Sequence, residues 1–156
     1  MKPLALAVIL ALGACGGCRS SQSMTAAENE IRAGNLTMQF ELSDYEPVAG
    51  QQLVATVLVR NTGLTTQRIV SPTSAAVYIR IYRRGEFGDE LVAQYPQLVA
   101  QVVTPWTLSA GQERTFQIPL QVGPDWPTNQ RLRVAAELSG RPDARMDQTI
   151  VVKPGS

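Results

Sequence analysis

The chain has 156 residues, of which 44% are hydrophobic, 17% charged and 6% aromatic, and its formal net charge at pH 7 is +1. This length suits one ordinary domain, and a charge near zero argues against a nucleic-acid partner, which usually requires a basic excess. The sequence contains no histidine, so the usual general base and the commonest metal ligand are missing. We therefore expect a protein that is not an enzyme, with no catalytic residues, no metal and no cofactor.

The first 14 residues have the pattern of a signal peptide. Lys2 supplies a positive charge, and an apolar run extends from Leu4 to Gly13. This run is about half of the roughly 20 residues that a helix needs to cross a bilayer. It is typical of a secretory signal peptide, so residues 1–14 are left out of the fold prediction.

The run Leu12-Gly13-Ala14-Cys15 resembles the lipobox of bacterial lipoprotein precursors. In that family a diacylglycerol is attached to the cysteine thiol, and the signal peptide is cut just before it. The resemblance implies that Cys15 is lipidated and anchors the protein in a membrane, since buried acyl chains contribute about 0.8 kcal/mol per CH₂. Gly16 rather than Asp follows, which in this family indicates the outer membrane of the cell envelope, facing the periplasm or the surface. The alternative is an ordinary signal peptide with Cys15 as a free thiol.

The two cysteines also form a C-x-x-C spacing, Cys15 to Cys18. Such spacings occur in redox and metal sites. Here no βαβ pattern follows, and a zinc site would need further cysteine or histidine ligands that the chain does not have. We expect neither function.

Residues 15–34 are rich in Gly, Ser, Gln and Ala, which predicts a lipidated cysteine followed by a flexible tether. Apolar and polar residues alternate from about residue 35 onwards, and this alternation predicts one β domain over residues 35–153. The predicted strands are 35–43, 52–60, 75–84, 114–122, 130–138 and 146–153, with weaker signals at 66–71, 90–94 and 98–104.

Short strands separated by turn signals predict an all-β protein, an immunoglobulin-like β-sandwich of about 7–9 antiparallel strands. Pro119 cannot donate to a strand ladder, so its strand should lie at an edge or contain a bulge. The tripeptide Ala-Gly-Gln precedes two strands, at 49–51 and 110–112. This repetition indicates one turn used twice, with glycine at positive φ; an internal repeat is the alternative.

The run from Tyr45 to Gly63, with its Gly turn, alternating strand and Asn-Thr-Gly ending, resembles bacterial immunoglobulin-like domains. Over about residues 45–122 the order of turns and strands is also similar to the bacterial intracellular proteinase inhibitor domain. That second resemblance implies a proteinase-inhibitor-like function as an alternative to a binding module. An inhibitor needs a rigid protruding loop, for which 84–90 and 123–129 are the candidates.

One strand carries a candidate binding surface. Tyr78, Arg80, Tyr82 and Arg84 alternate with apolar residues and should share the outer face of strand 75–84. Tyr and Arg are enriched at interaction hot spots, so this face could bind an envelope protein or a surface glycan; the alternative is ordinary cross-strand packing. Trp126, between Asp125 and Pro127, is a second candidate if its ring is exposed, whereas a buried ring would only close one end of the core.

Overall fold

The computed structural model of the protein describes residues 30–155. Within this range the secondary structure consists of β-strands and irregular segments, with no helix. The ten strands, in chain order, are β1 (Glu30–Ala33), β2 (Leu36–Leu42), β3 (Gln52–Asn61), β4 (Gln67–Ser71), β5 (Val77–Gly85), β6 (Gly88–Tyr95), β7 (Thr104–Leu108), β8 (Glu113–Gln121), β9 (Arg131–Leu138) and β10 (Arg145–Val151).

The strands form two main sheets and a small one, and all pairings between strands are antiparallel. One main sheet has the order β1-β2-β3-β8 and the other the order β10-β9-β5-β6, while β4 and β7 form a two-stranded sheet. The predicted fold class, an all-β sandwich, is confirmed, with ten strands rather than 7–9. Neither Cys15 nor the predicted signal peptide lies within the described residues.

The period-two pattern of the sequence decides which side chains enter the core. In β3 the residues Leu53, Ala55, Val57 and Val59 are buried, and the residues between them are more exposed. The inner rows of β2, β5 and β9 are buried in the same way, so the two sheets bury each other's apolar faces. The largest fully buried side chain is Phe40 of β2.

Two parts of the sequence behave differently from the prediction. Strand β1 lies within the segment 15–34, for which a tether was predicted, because Glu30–Ala33 pair with β2 and bury Ala33. The strand predicted at 98–104 is wrong: residues 96–103 are irregular, and the strand is β7. Leu98 is 91% exposed, whereas Trp106 and Leu108 of β7 are buried. The apolar side chains of β7 therefore enter the core, whereas Leu98 stays exposed.

Pro119 lies at the edge of its sheet, as predicted. Strand β8 pairs with β3 on one side and has no second neighbour in its sheet. The missing N–H of Pro119 therefore breaks no interstrand ladder.

The two Ala-Gly-Gln segments form the same turn, as predicted. In each, the N–H of the Gln donates to the carbonyl three residues earlier (Gln51 to Val48, and Gln112 to Ser109), both at 3.0 Å. In each, the Gln side-chain oxygen accepts from the N–H of that first residue, at 3.0 and 2.9 Å. Gly50 and Gly111 have φ of +87° and +73°, which glycine adopts without steric cost.

These turns lie at opposite ends of the β3–β8 pair. The N–H of Gly50 donates to Val122 at the end of β8, and the N–H of Gly111 donates to Asn61 at the end of β3, both at 2.9 Å. Residues 48–61 and 109–122 are thus related by a local twofold arrangement. Each turn is therefore hydrogen-bonded through its backbone to the far end of the other strand, and these two bonds help to fix the register of this strand pair.

Candidate binding face

Strand β5 runs between β9 and β6 and carries the predicted binding residues. Its inner side chains, Val77, Ile79 and Ile81, are buried in the core. The alternating residues therefore point to the other side of the sheet. We call this side the arginine face; it comprises Tyr78, Arg80, Tyr82 and Arg84 of β5, Asp89 of β6, Arg131, Arg133 and Glu137 of β9, and Arg145, Asp147 and Thr149 of β10.

Tyr78 belongs to the arginine face but is buried. Its hydroxyl lies 2.6 Å from Thr73 Oγ1, and the Arg80 guanidinium lies 5.0 Å from its ring centre. The Ser71 hydroxyl, which is also buried, lies 2.7 Å from Ser139 Oγ. Tyr78 therefore serves to pack the start of β5, and its ring is not available for stacking on a ligand.

The middle of the face is occupied by internal ion pairs. Arg80 forms a salt bridge with Glu137 and donates to Gln94 Oε1 at 2.9 Å. Arg145 reaches the same glutamate at 3.1 Å. Arg80, Glu137 and Arg145 line a shallow depression of about 280 Å³, but these charged groups already satisfy one another. It therefore offers little to a charged ligand.

Arg133 is fixed from three sides at the other end of the face. Its guanidinium lies 4.3 Å from the ring centre of Tyr82 and bonds Asp89 at 2.7 Å and Asp147 at 3.0 Å. Burial disfavours its charged form, but the two carboxylates, Asp147 foremost, prevail and raise the pKa of Arg133 above its ordinary value. Arg133 is therefore a permanently charged and well-ordered part of the surface.

Arg84 and Arg131 differ from the other arginines of the face. Both are exposed, and the side chain of neither has a hydrogen bond or salt bridge to any residue within 30–155. Both line a second shallow depression of about 280 Å³, which we call the arginine depression; its lining residues are Tyr82, Arg84, Asp89, Arg131, Leu132, Arg133 and Thr149. Of the four predicted residues on β5, Tyr82 and Arg84 line this depression, whereas Tyr78 is buried and Arg80 is engaged by Glu137. Arg131 and Thr149 were not predicted from the sequence, because only the strand pairing places β9 beside β5 and β10 beside β9.

Trp126 is part of the core and not a surface platform. It is 5% exposed, and the prediction that its ring could bind a ligand is wrong because the ring packs inside the sandwich. Trp106 is also buried, and its ring meets Phe116 edge to face at 5.7 Å. Both tryptophans thus belong to the core, which for Trp126 was the alternative interpretation of the sequence.

The two loops considered for an inhibitor differ in shape. Residues 84–90 form a tight hairpin between β5 and β6, in which Gly85 pairs with Gly88 and Phe87 at the tip is 96% exposed. Residues 123–129 are irregular and held inward by Trp126. Asp89 and Glu90, expected in a loop, belong to strand β6 and pair with Arg84 and Arg83.

Residues 30–155 contain no group of three or more Cys, Asp or Glu side chains arranged to hold a metal ion. That part of the chain also has no helix with the length and apolar character needed to cross a bilayer.

Comparison with known proteins shows a likeness of fold. No family model and no curated protein matches the chain. Among solved structures, the sporulation control protein Spo0M of Bacillus subtilis matches with a TM-score of 0.52 at 18% identity, over 77% of this chain and 50% of that one. The alkylpurine DNA glycosylase AlkC of Pseudomonas fluorescens matches with a TM-score of 0.50 at 14% identity, over 76% of this chain and 30% of that one.

The chain therefore spans half the length of Spo0M and less than a third of AlkC. Proteins as different as a sporulation factor and a DNA glycosylase share this fold, and a fold alone does not determine function. These similarities identify a β-sandwich and carry no activity over to this chain.

Proposed function

We propose that the protein is a lipid-anchored module of the bacterial cell envelope that binds a partner through its arginine face and performs no catalysis. The observation that carries the binding role is the pair of exposed arginines, Arg84 and Arg131, which have no acidic partner on the described surface. The proposed anchor is Cys15, through the lipobox-like run that precedes it. The partner is an envelope protein or a surface glycan.

The charges of the face support a binding role. Five arginines share the face with three acids, Asp89, Glu137 and Asp147. The three acids are all engaged by Arg80, Arg133 and Arg145. The two remaining arginines leave a local positive excess on a chain that is almost neutral overall. An uncompensated pair of this kind favours association with a negatively charged surface.

The anchor is tested by labelling growing cells with a radioactive fatty acid and by mass spectrometry of the N-terminal peptide. The proposal expects label on the wild-type protein and an acylated Cys15 as the first residue. Cys15→Ser should lose the label and release the protein from membranes, whereas the matched control Cys18→Ser should keep both. An unmodified Cys15 in the mature wild-type protein would refute the anchor.

The binding role is tested by crosslinking in cells and affinity capture of the full-length protein. The informative variant is Tyr82→Ser with Arg84→Ser, because both side chains reach the surface. Substitution of Tyr78 and Arg80 is less suitable, since Tyr78 is buried and Arg80 holds Glu137. The matched control is Arg60→Ser on β3, an exposed arginine of the opposite sheet. One dominant partner that is lost only in the face variant supports the proposal, and equal recovery in both variants contradicts it.

A second candidate function, proteinase inhibition, is favoured by the β5–β6 hairpin. Its tip presents Phe87, and the Arg83–Glu90 salt bridge at 2.6 Å braces its stem. A braced loop with one exposed aromatic side chain has the shape that a protease with an aromatic-specific pocket accepts. Titration of such a protease should show stoichiometric inhibition that Phe87→Asp abolishes. Unchanged protease rates would eliminate this candidate.

A further inference from the structure

The excess positive charge of the arginine face arises because Asp89 pairs with Arg133 and not with Arg84. In the ladder between β5 and β6, Asp89 lies directly opposite Arg84. Its carboxylate nevertheless bonds Arg133 on the next strand, at 2.7 Å. The acid directly opposite Arg84 in the ladder is therefore already paired with another arginine.

Arg133 holds Asp89 in this arrangement. Its other nitrogen bonds Asp147 at 3.0 Å, and its plane covers the ring of Tyr82. An arginine fixed by two carboxylates and an aromatic ring does not turn readily towards a new partner. Arg84 and Arg131 are left as two unpaired guanidinium groups that line one depression.

We infer that the arginine depression binds an oxyanion, a phosphate or carboxylate group, on a small polar unit such as an acidic sugar. Planar guanidinium groups recognise such groups through paired N–H donors. The volume, about 280 Å³, lies just below the roughly 300–1,000 Å³ typical of sites for drug-sized ligands. A site of this size suits one compact group, and the exposed Thr149 side chain adds one hydroxyl to its lining. The inference rests on the proposed binding face and names the chemistry of its ligand.

The test uses the full-length protein in a neutral detergent, with NMR signals of the arginine Nε–H groups as the readout. The probes are inorganic phosphate, D-glucuronate and, as a neutral control, D-glucose. We expect saturable shifts of the Arg84 and Arg131 signals with the two anions and none with glucose. The double variant Arg84→Gln with Arg131→Gln should weaken binding at least tenfold, and added NaCl should weaken binding to the wild type. Arg68→Gln on β4, an exposed arginine outside the face, should change nothing.

The two anions distinguish the source of the oxyanion. Tighter binding of glucuronate identifies a sugar carboxylate, and tighter binding of phosphate identifies a phosphate ester; either result supports the inference. Shifts that do not saturate, or that are equal with glucose or in the double variant, overturn it. Binding only to vesicles of phosphatidylcholine with phosphatidylglycerol, and to neither free anion, also overturns it.

Failure of this inference and failure of the proposed function give different results. If crosslinking in cells captures a dominant partner that the Tyr82 and Arg84 variant loses, while the anion titration of the wild type does not saturate, the oxyanion site is refuted and the binding face survives. If the wild type captures no partner while its anion titration saturates, the oxyanion site stands and the macromolecular partner is refuted.

Discussion

Replacement of Asn61 by aspartate tests whether one buried amide joins three segments of the sandwich. The side chain is fully buried at the end of β3. Its Nδ2 donates to the carbonyls of Thr65, Leu108 and Ser109 at 2.8, 2.9 and 3.1 Å, and its Oδ1 accepts from the N–H of Gly63 at 2.9 Å. The amide thus connects the loop after β3 to the end of β7.

The expected loss follows from these contacts. Aspartate has almost the same shape but places a carboxylate oxygen against three carbonyl oxygens, with no proton to donate at pH 7. Each lost hydrogen bond contributes about 1 kcal/mol, and an uncompensated buried charge makes the loss larger. We expect Asn61→Asp to lower the free energy of unfolding by about 3–5 kcal/mol at pH 7. Asn61→Ala should cost about 3 kcal/mol, since it removes the donors without adding charge.

The pH dependence of stability separates the effect of the introduced charge from the effect of the lost hydrogen bonds. Burial against carbonyl oxygens should raise the pKa of the introduced aspartate above its unfolded value of roughly 3.9. The variant should therefore be most stable below pH 4 and should lose stability as the pH rises through its folded pKa, whereas Asn61→Ala should differ from the wild type by a constant amount. Urea unfolding, followed by the fluorescence of the buried Trp106 and Trp126, measures both.

The control for this prediction is Asn35→Asp, because Asn35 is exposed and its side chain makes no hydrogen bond to the described residues. We expect a change within about 0.5 kcal/mol. A loss below about 1 kcal/mol for Asn61→Asp, or equal losses at pH 4 and pH 7, would refute the reasoning that the buried amide stabilises the junction through its donors.

Three further substitutions test the turns and the link between the two main sheets. Gly50→Ala should cost about 1–2 kcal/mol, because φ is +87° but a methyl group there would meet no atom within 4 Å. Gly140→Ala should cost at least about 3 kcal/mol in the same urea assay, because its methyl group would also overlap the Val70 carbonyl oxygen; equal costs would contradict this packing. Tyr95→Phe should cost about 1 kcal/mol by removing the 2.6 Å bond to the Gln121 carbonyl. Burial, with a smaller contribution from Asp125, raises the pKa of Tyr95. The wild type should therefore lose stability above pH 10 and the variant should lose less; parallel alkaline profiles would contradict this expectation.

Alternation made most of the fold predictable from the sequence. Strands β2, β3, β5 and β9 have one row of apolar residues facing the core and an opposite row that is mostly polar, so their pattern identifies both strand and face. Strand β1 has only four residues and exists because it pairs with β2, which no local pattern reveals. The apolar run at 98–103 looked more like a strand than β7 did, but burial and not local hydrophobicity selects the strand.

The candidate site was only half predictable for a similar reason. Alternation correctly placed Tyr78, Arg80, Tyr82 and Arg84 on one side of β5. It could not tell which of them carry an unpaired charge, because that depends on residues from three other strands. Trp126 shows the same limit, since its sequence surroundings are those of a surface turn whereas its ring enters the core.

A single bulge decides how the charges of the arginine face are distributed. Between Ile81 and Tyr82 the β5–β6 register shifts, so that Tyr82 pairs with Leu91 and Val92 is passed over. Without that shift Arg84 would lie opposite Glu90, and Asp89 would lie beyond it towards the turn. With the shift, Glu90 lies opposite Arg83 and forms its salt bridge, while Asp89 comes level with Arg84 and within reach of Arg133. Bulges commonly reorient side chains beside functional sites. Here the bulge assigns both acids of β6 to Arg83 and Arg133, which is why the positive excess falls on Arg84 and Arg131.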